Sequence, residues 1–250
     1  MGSGRLRVMT LNCLLVGNLR ARLRVIGSQL GQIGADVTCL QEVFWQRDLP
    51  LLPATHKAYQ PRGPLVMGGL VTLTSAPIES TAFDRYALNG WLERLAWVGR
   101  MGLLVSQYRH AGEPLTVVNT HLPANYDEDW SETNRFARRQ AAELDQLAQS
   151  LRRIPLEGWL VVAGDFNVPA PSRMFKDFLV AAGLVSAVDW AAWSPTGRVY
   201  HGIDNVLYRP RPERKVSVTS RLHFRDPVQL ADGRMLFASD HAGIEVDLEW

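Results

Sequence analysis

The sequence predicts an α/β fold, one domain over residues 1–250 with many short strands and few helices. Three observations predict it. Short apolar or alternating runs recur along the chain and read as strands. Three segments instead repeat apolar residues at helical spacing. No internal repeat or low-complexity linker divides the chain.

Arg5 to Asn12 alternates and forms the first strand, ending on Asn12. Leu19, Leu23, Ile26, Leu30 and Ile33 make one face of an amphipathic helix, with Gly34 as its stop. Asp36 to Glu42 is a second strand, and the strand–helix–strand order implies neighbouring strands. Residues 44–65, with four prolines, read as an irregular surface excursion. Leu70 to Ser75 is a strand, and 79–98 a long loop packed on the core. Met101 to Tyr108 and Leu115 to Asn119 form a hairpin about Ala111-Gly112-Glu113-Pro114. An acidic loop at 122–130 leads to a helix over 131–153, whose buried stripe is Ala137, Ala141, Leu144, Ala148 and Leu151. Trp159 to Ala163 is an apolar strand that stops on Gly164-Asp165-Phe166-Asn167. Ser172 to Ala182 is helical up to Gly183. Ile203 to Tyr208, Lys215 to Phe224 and Ile244 to Leu248 complete the strands.

Composition narrows the class. With 250 residues the chain can bury a sizeable core, and 46% hydrophobic with 21% charged residues is ordinary for a soluble globular protein. A net charge of +2 does not demand a nucleic-acid partner, though local basic clusters could meet phosphate. The two cysteines, Cys13 and Cys39, lie in apolar settings and read as buried thiols, with a disulfide left open. No signal pattern and no apolar run of about 18 residues is present, so a cytoplasmic monomer is expected. Met1-Gly2-Ser3-Gly4 resembles a cloning scar, behind which a native leader could have been lost.

The chemistry lies where strands end. Asn12, Glu42, His121, Asp165 with Asn167, Asp204, and Asp240 with His241 each sit at a strand end or start. On an extended backbone Asp165 and Asn167 point to one side and Phe166 to the other. A bland reading of that stretch is a strand running into an Asx turn. The inventory is carboxylates, amides and imidazoles, with no thiolate cluster and no Gly-x-Ser-x-Gly elbow. That suits Mg²⁺ or Mn²⁺ with phosphate chemistry better than zinc.

Asn12, Gln41-Glu42, Asn119-Thr120-His121, Gly164-Asp165-Phe166-Asn167, Ile203-Asp204 and Ser239-Asp240-His241, in this order, resemble the endonuclease/exonuclease/phosphatase superfamily. The resemblance implies a deoxyribonuclease I-like fold. This is a four-layer α/β sandwich with two face-to-face, mostly antiparallel sheets flanked by helices and the motifs gathered at one edge. It further implies a Mg²⁺-dependent phosphoric ester hydrolase. Glu42, with Asn12 and Asp240, would hold the metal. Asp165 would orient or deprotonate water, and Asn167 would hold a phosphate oxygen or that water. Asp204 would fix the tautomer of His241, and His121 would bind a non-bridging oxygen. Both Asp165 and His241 are expected to be catalytic, with the general base left open between them.

Substrate is less constrained. Repair nucleases of the family typically follow the glutamate with Thr-Lys, whereas here Val43-Phe44 follows Glu42. Cys39 to Phe44, Gly69-Leu70-Val71 with Ser75 to Ile78, and the run from Gly99 to Val105 with His121-Leu122 and Asn125-Tyr126 are similar to the neutral sphingomyelinase branch. A phosphodiesterase acting on phospholipid is therefore expected. Phe44-Trp45 and Leu49 to Leu52 could touch a lipid surface, with ordinary loop packing as the bland alternative. The nuclease alternative rests on three arginine clusters, Arg20/Arg22/Arg24, Arg135/Arg138/Arg139 and Arg209/Arg211/Arg214, that could track a nucleic acid. A sugar- or inositol-phosphate phosphatase and a non-catalytic binding scaffold are further alternatives.

Overall fold

Two strand–helix–strand units set the frame. In a computed structural model, residues 4–61, 63–87, 101–190 and 202–250 are described. β1 (Arg5–Asn12) leads through α1 (Leu19–Ile33) to β2 (Val37–Trp45), and the crossover leaves the strands parallel, Val8 opposite Val37 and Asn12 opposite Gln41. Gly34, at φ 61°, closes α1 through its N–H on Leu30 O. The same device recurs later in the chain. β7 (Glu113–His121) leads through α2 (Arg135–Arg152) to β8 (Trp159–Asp165), again parallel, with His121 opposite Asp165.

Each unit sits in the middle of its own six-stranded sheet. The first sheet adds β3 (His56–Pro61), β4 (Val66–Thr74), β11 (Ser217–His223) and β14 (Gly243–Glu249), in the order β11-β14-β1-β2-β4-β3. The second adds β5 (Ile78–Arg85), β6 (Gly102–His110), β9 (Val185–Ser186) and β10 (Asp204–Tyr208), in the order β5-β6-β7-β8-β10-β9. All pairings outside the two parallel ones are antiparallel. β12 (Pro227–Gln229) and β13 (Met235–Phe237) form a separate hairpin, and α3 (Arg173–Ala182) follows β8.

Alternation along the strands builds the layers. Leu6, Val8, Val37, Cys39, Val117, Val161, Val206 and Val246 fill the space between the sheets. Leu11, Leu40 and Val71 on the outer face of the first sheet meet Leu23, Ile26 and Leu30 of α1. Val118, Leu160 and Val162 on the outer face of the second meet Leu144, Leu147 and Leu151 of α2 and Phe175 and Phe178 of α3. This is the expected helix–sheet–sheet–helix sandwich. Burying each such side chain contributes about 1.5–3 kcal/mol.

Three expectations change. The excursion at 44–65 contains a 3-10 helix (Gln46–Leu51) and β3, an edge strand too short and mixed to show alternation. β5 occupies part of the expected loop at 79–98; it is another edge strand, mostly exposed, so nothing apolar marks it. The rest of that loop, 88–100, and the segment 191–201 lie outside the described residues. α2 begins four residues later than its periodicity suggests, because Asn134 Oδ1 accepts from Phe136 N and Ala137 N and caps it there. Cys13 and Cys39 are free buried thiols, as expected, and the disulfide left open does not form. Cys39 pairs with Thr10, three residues short of Cys13, which puts the two roughly 10 Å apart and beyond disulfide reach.

Candidate active site

The register delivers three of the expected residues to one row. His121 ends β7 and Asp165 ends the parallel β8, directly opposite each other. Asp204 starts the antiparallel β10, also opposite Asp165. Residues opposite one another in paired strands present their side chains on the same face. The first sheet brings the others to the same end: Asn12 closes β1, Glu42 lies in β2, and Ser239-Asp240-His241 leads into β14.

Asp165 is the centre. It is 1% exposed. Its Oδ2 accepts from Asn12 Nδ2 at 3.0 Å and lies 3.4 Å from His121 Nε2 and 3.8 Å from His241 Nε2. Its Oδ1 accepts from the Asn167 N–H at 2.9 Å. That last bond corrects the extended reading of the stretch. β8 stops at Asp165, and Asn167 turns back at φ 52°, an Asx turn. The Asn167 side chain donates to Leu122 O at 2.8 Å, so its NH₂ braces the neighbouring loop, and Phe166 packs on Phe175 and Phe178. Gly164 makes the approach of β8 to β7 possible; a Cβ there would collide with Thr120 O.

His241 Nδ1 and Asp204 Oδ2 are 2.7 Å apart. Burial pulls the His241 pKa down, but the carboxylates of Asp204 and Asp165 outweigh it and push it up to about 10. Burial raises Asp204 to about 6, against the pull of His241. The pair is thus an imidazolium held by a carboxylate, with His241 Nε2 turned toward Asp165.

Glu42 occupies a bulge. The β2–β4 register shifts between Leu40 and Val43, and Glu42 sits there at φ 62°. A non-glycine in that conformation is strained by about 1–3 kcal/mol, and bulges of this kind re-aim a side chain. The carboxylate accepts from Asn12 Nδ2 at 3.1 Å and from the Leu15 N–H at 2.5 Å. Asn12 Oδ1 accepts from Leu14 N at 3.0 Å.

The donor chemistry suits a hard divalent cation. Four carboxylates gather here, and among the described residues no lysine or arginine forms an ion pair with Glu42, Asp165, Asp204 or Asp240; the basic side chains beside them are the imidazoles of His121 and His241. Asp204 Oδ1 is buried without a hydrogen bond. The expected ligands are not the tightest group, however. Asp165, Asp204 and His241 offer atoms within 4.8 Å of one another. Glu42 meets Asn12 directly, while Asp240 stands apart beside His241, its side chain 46% exposed.

Reading along the chain missed the residues behind the site. Gln41 Nε2 donates to Asn119 Oδ1 at 2.8 Å, and Asn119 Nδ2 reaches Leu40 O and Val71 O at 3.1 Å, so buried amides join the two sheets just beneath it. Gln140 Nε2 donates at 2.8 Å to Pro123 O and Asn167 O. Arg22 is buried, and among the described residues it bonds main-chain carbonyls alone. Helical spacing held the signal for two of them: Arg22 shares the stripe of Leu19 and Ile26, and Gln140 that of Ala137 and Leu144.

The profile of the endonuclease/exonuclease/phosphatase family matches residues 9–241. The chain belongs to this family. Sphingomyelin phosphodiesterase 2 of Homo sapiens is 28% identical to this family member over 179 residues, 66% of the chain and 41% of the human protein. The chain spans less than half the length of the curated relatives it matches. Among solved structures, sphingomyelinase C from Streptomyces griseocarneus superimposes with a TM-score of 0.72 at 18% identity, covering 97% of this chain and 99% of that one. D. rerio TDP2 complexed with single strand DNA product gives 0.73 at 17% identity, covering 98% of each. The family fold thus accompanies names drawn from both lipid and DNA chemistry.

Proposed function

We propose that this chain is a divalent-metal-dependent phosphodiesterase that hydrolyses a phospholipid of the sphingomyelin type by in-line attack of water. The observation that carries the chemistry is the position of Asp165. It is buried, fixed by Asn12 and the Asn167 N–H, and faced by two imidazoles, one of them the His241–Asp204 pair. A carboxylate so held can orient a water and take or share its proton. His121 supplies an N–H for a non-bridging phosphoryl oxygen, and His241 a proton for charge that develops beside Asp165. Glu42, with Asn12 and Asp240, would hold Mg²⁺ or Mn²⁺. The cation would polarise the phosphoryl group and offset negative charge on the leaving oxygen.

Sphingolipid substrates are favoured by the sequence similarity to sphingomyelin phosphodiesterase 2 and by the Cys39–Phe44 motif. The nuclease reading loses some of the arginines on which it rested, while Arg20, Arg24, Arg135 and Arg138 stay exposed. Arg22 is buried, Arg209 caps Leu151, Ile154 and Pro155 carbonyls, and Arg211 and Arg214 pair with Glu113. These last three lie at the β6–β7 turn and the end of β10, away from Asp165. The lipid-touching excursion also changes character. Trp45, Leu49, Leu51 and Leu52 pack on the α1 core, whereas the exposed apolar residues are Val16, Leu65, Tyr126 and Met235 among others.

The test is hydrolysis of sphingomyelin in mixed micelles, bis-p-nitrophenyl phosphate and single- and double-stranded DNA with Mg²⁺. Activity on sphingomyelin and on the chromogenic diester, abolished by chelator, is expected. Asp165→Asn and His241→Ala should each lower turnover by at least about 10²-fold, measured at a temperature where each variant is folded. Cleavage of DNA without any of phospholipid would overturn the substrate, and wild-type turnover in both variants would overturn the chemistry.

A further inference from the structure

Arg22 is the least expected residue near the site. It lies on the apolar stripe of α1 between Leu19 and Ile26 and is 3% exposed. Burying a guanidinium costs several kcal/mol unless its donors are met. Among the described residues no carboxylate pairs with it. Its donors go instead to four main-chain carbonyls: Nη1 to Cys13 O at 2.7 Å and Ala238 O at 2.8 Å, Nη2 to Leu14 O at 2.5 Å and Val16 O at 2.6 Å. Three of these belong to the loop after β1 and one to the segment before β14.

Those two segments contact the expected metal ligands. The loop after β1 gives its Leu14 N–H to Asn12 Oδ1 and its Leu15 N–H to Glu42. The residue after Ala238 is Ser239, whose Oγ donates to Asn12 O at 2.6 Å and accepts from His241 N at 3.1 Å. Asp240 lies between them, and the carboxylates of Asp240 and Glu42 are the acidic side chains whose charge reaches Arg22. Leu14 in that loop is held at φ 53°, an uncommon conformation for a non-glycine residue.

We propose that Arg22 is a positioning residue that clamps the Cys13–Val16 and Ala238 backbones together and so fixes Asn12, Glu42 and Asp240 as one cation-binding set. This rests on the metal-dependent reading above. The guanidinium suits the task because its planar fork presents several donors in fixed directions, which neither lysine nor a neutral side chain can do.

Arg22→Met keeps most of the volume without donors, and Arg22→Lys keeps the charge with fewer directions. Mg²⁺ affinity by titration calorimetry is read beside kcat and KM on bis-p-nitrophenyl phosphate, at a temperature where each variant is folded. Arg22→Met is expected to weaken Mg²⁺ binding and lower kcat about 10- to 100-fold, with KM little changed and Arg22→Lys intermediate. A lower melting temperature with wild-type Mg²⁺ affinity and kcat would overturn the proposal and leave a purely structural residue. Should Arg22→Met not fold, Arg22→Lys with wild-type Mg²⁺ affinity overturns it equally. In the wild-type chain, Mg²⁺ should slow solvent exchange of the Arg22 guanidinium protons; unchanged exchange also counts against it. A wild-type chain that binds Mg²⁺ in this Arg22-dependent way yet hydrolyses no phosphodiester would sink the proposed function alone.

Discussion

At Gly164 a single atom decides whether the site can form. φ is 151°, and the space for a Cβ is already filled by Thr120 O. Gly164→Ala must therefore push β8 from β7 where His121 faces Asp165. A loss of about 3 kcal/mol or more is expected, read as a fall in urea midpoint with a matching loss of turnover. A variant as stable and active as wild type would contradict the packing. His241 gives a second prediction, in pH. Its folded pKa, about 10, is above the ordinary value near 6.5, so the folded state favours the imidazolium. That stabilisation is complete below about pH 6.5 and is lost as pH rises toward about 10, by at most about 1.4 kcal/mol per pH unit. Asp204, raised by burial to about 6, adds an earlier fall between about pH 4 and 6. In chelator, His241→Asn should flatten the stability profile of the wild type between pH 6.5 and 10. Parallel profiles would mean that the two carboxylates do not hold His241 protonated.

The elements show what the sequence could and could not announce. β1 is legible as an apolar run ending on a polar residue, and α1 with its Gly34 stop and α3 with Gly183 because each buries one face and ends on a left-handed glycine. β3 and β5 were not, because an edge strand needs only one partner and little burial. Site residues were legible as polar groups ending apolar strands, but their mates were not. Asn12 meets Asp165 across 153 positions, which no local pattern encodes. Nor was the division of labour between the sheets. Asn12 and Glu42 come from one sheet and His121, Asp165 and Asp204 from the other, so the spacing of the sheets sets the spacing of the site. The buried Gln41–Asn119 amides fix it. Asn119→Ala leaves Gln41 and two carbonyls short of partners and should cost about 2–4 kcal/mol. A denaturant titration would register that loss, and turnover at 10 °C, where the variant stays folded, should fall as well. Unchanged turnover in a destabilised variant would mean that the sheets hold their spacing without this link. The two crossover helices repeat one arrangement, each lending a buried polar side chain, Arg22 or Gln140, to the loop leaving its preceding strand.

In the whole molecule, the second sheet is contiguous in the chain, β5 to β10, whereas the first is completed only by β11 and β14. His241 thus arrives at the site only when β14 pairs with β1. Arg5, Lys215, Ser217, Glu249 and Trp250 line a cavity at the far pole, where β1 begins and β14 ends. There Gly4 and Trp250 exchange both main-chain hydrogen bonds, at 2.8 and 3.0 Å. The backbone is almost a ring. Joining residues 4 and 250 through a short glycine–serine linker and opening the Ala111-Gly112 turn should give a permuted chain with near-wild-type turnover, and an insoluble or inactive product would count against the closure. The ring also sets a distance. Any passenger attached at either end departs from the pole opposite Asp165. To lean over the mouth it must first climb the eight residues of β1, about 26 Å, so a tether shorter than about eight extended residues keeps it clear of incoming substrate.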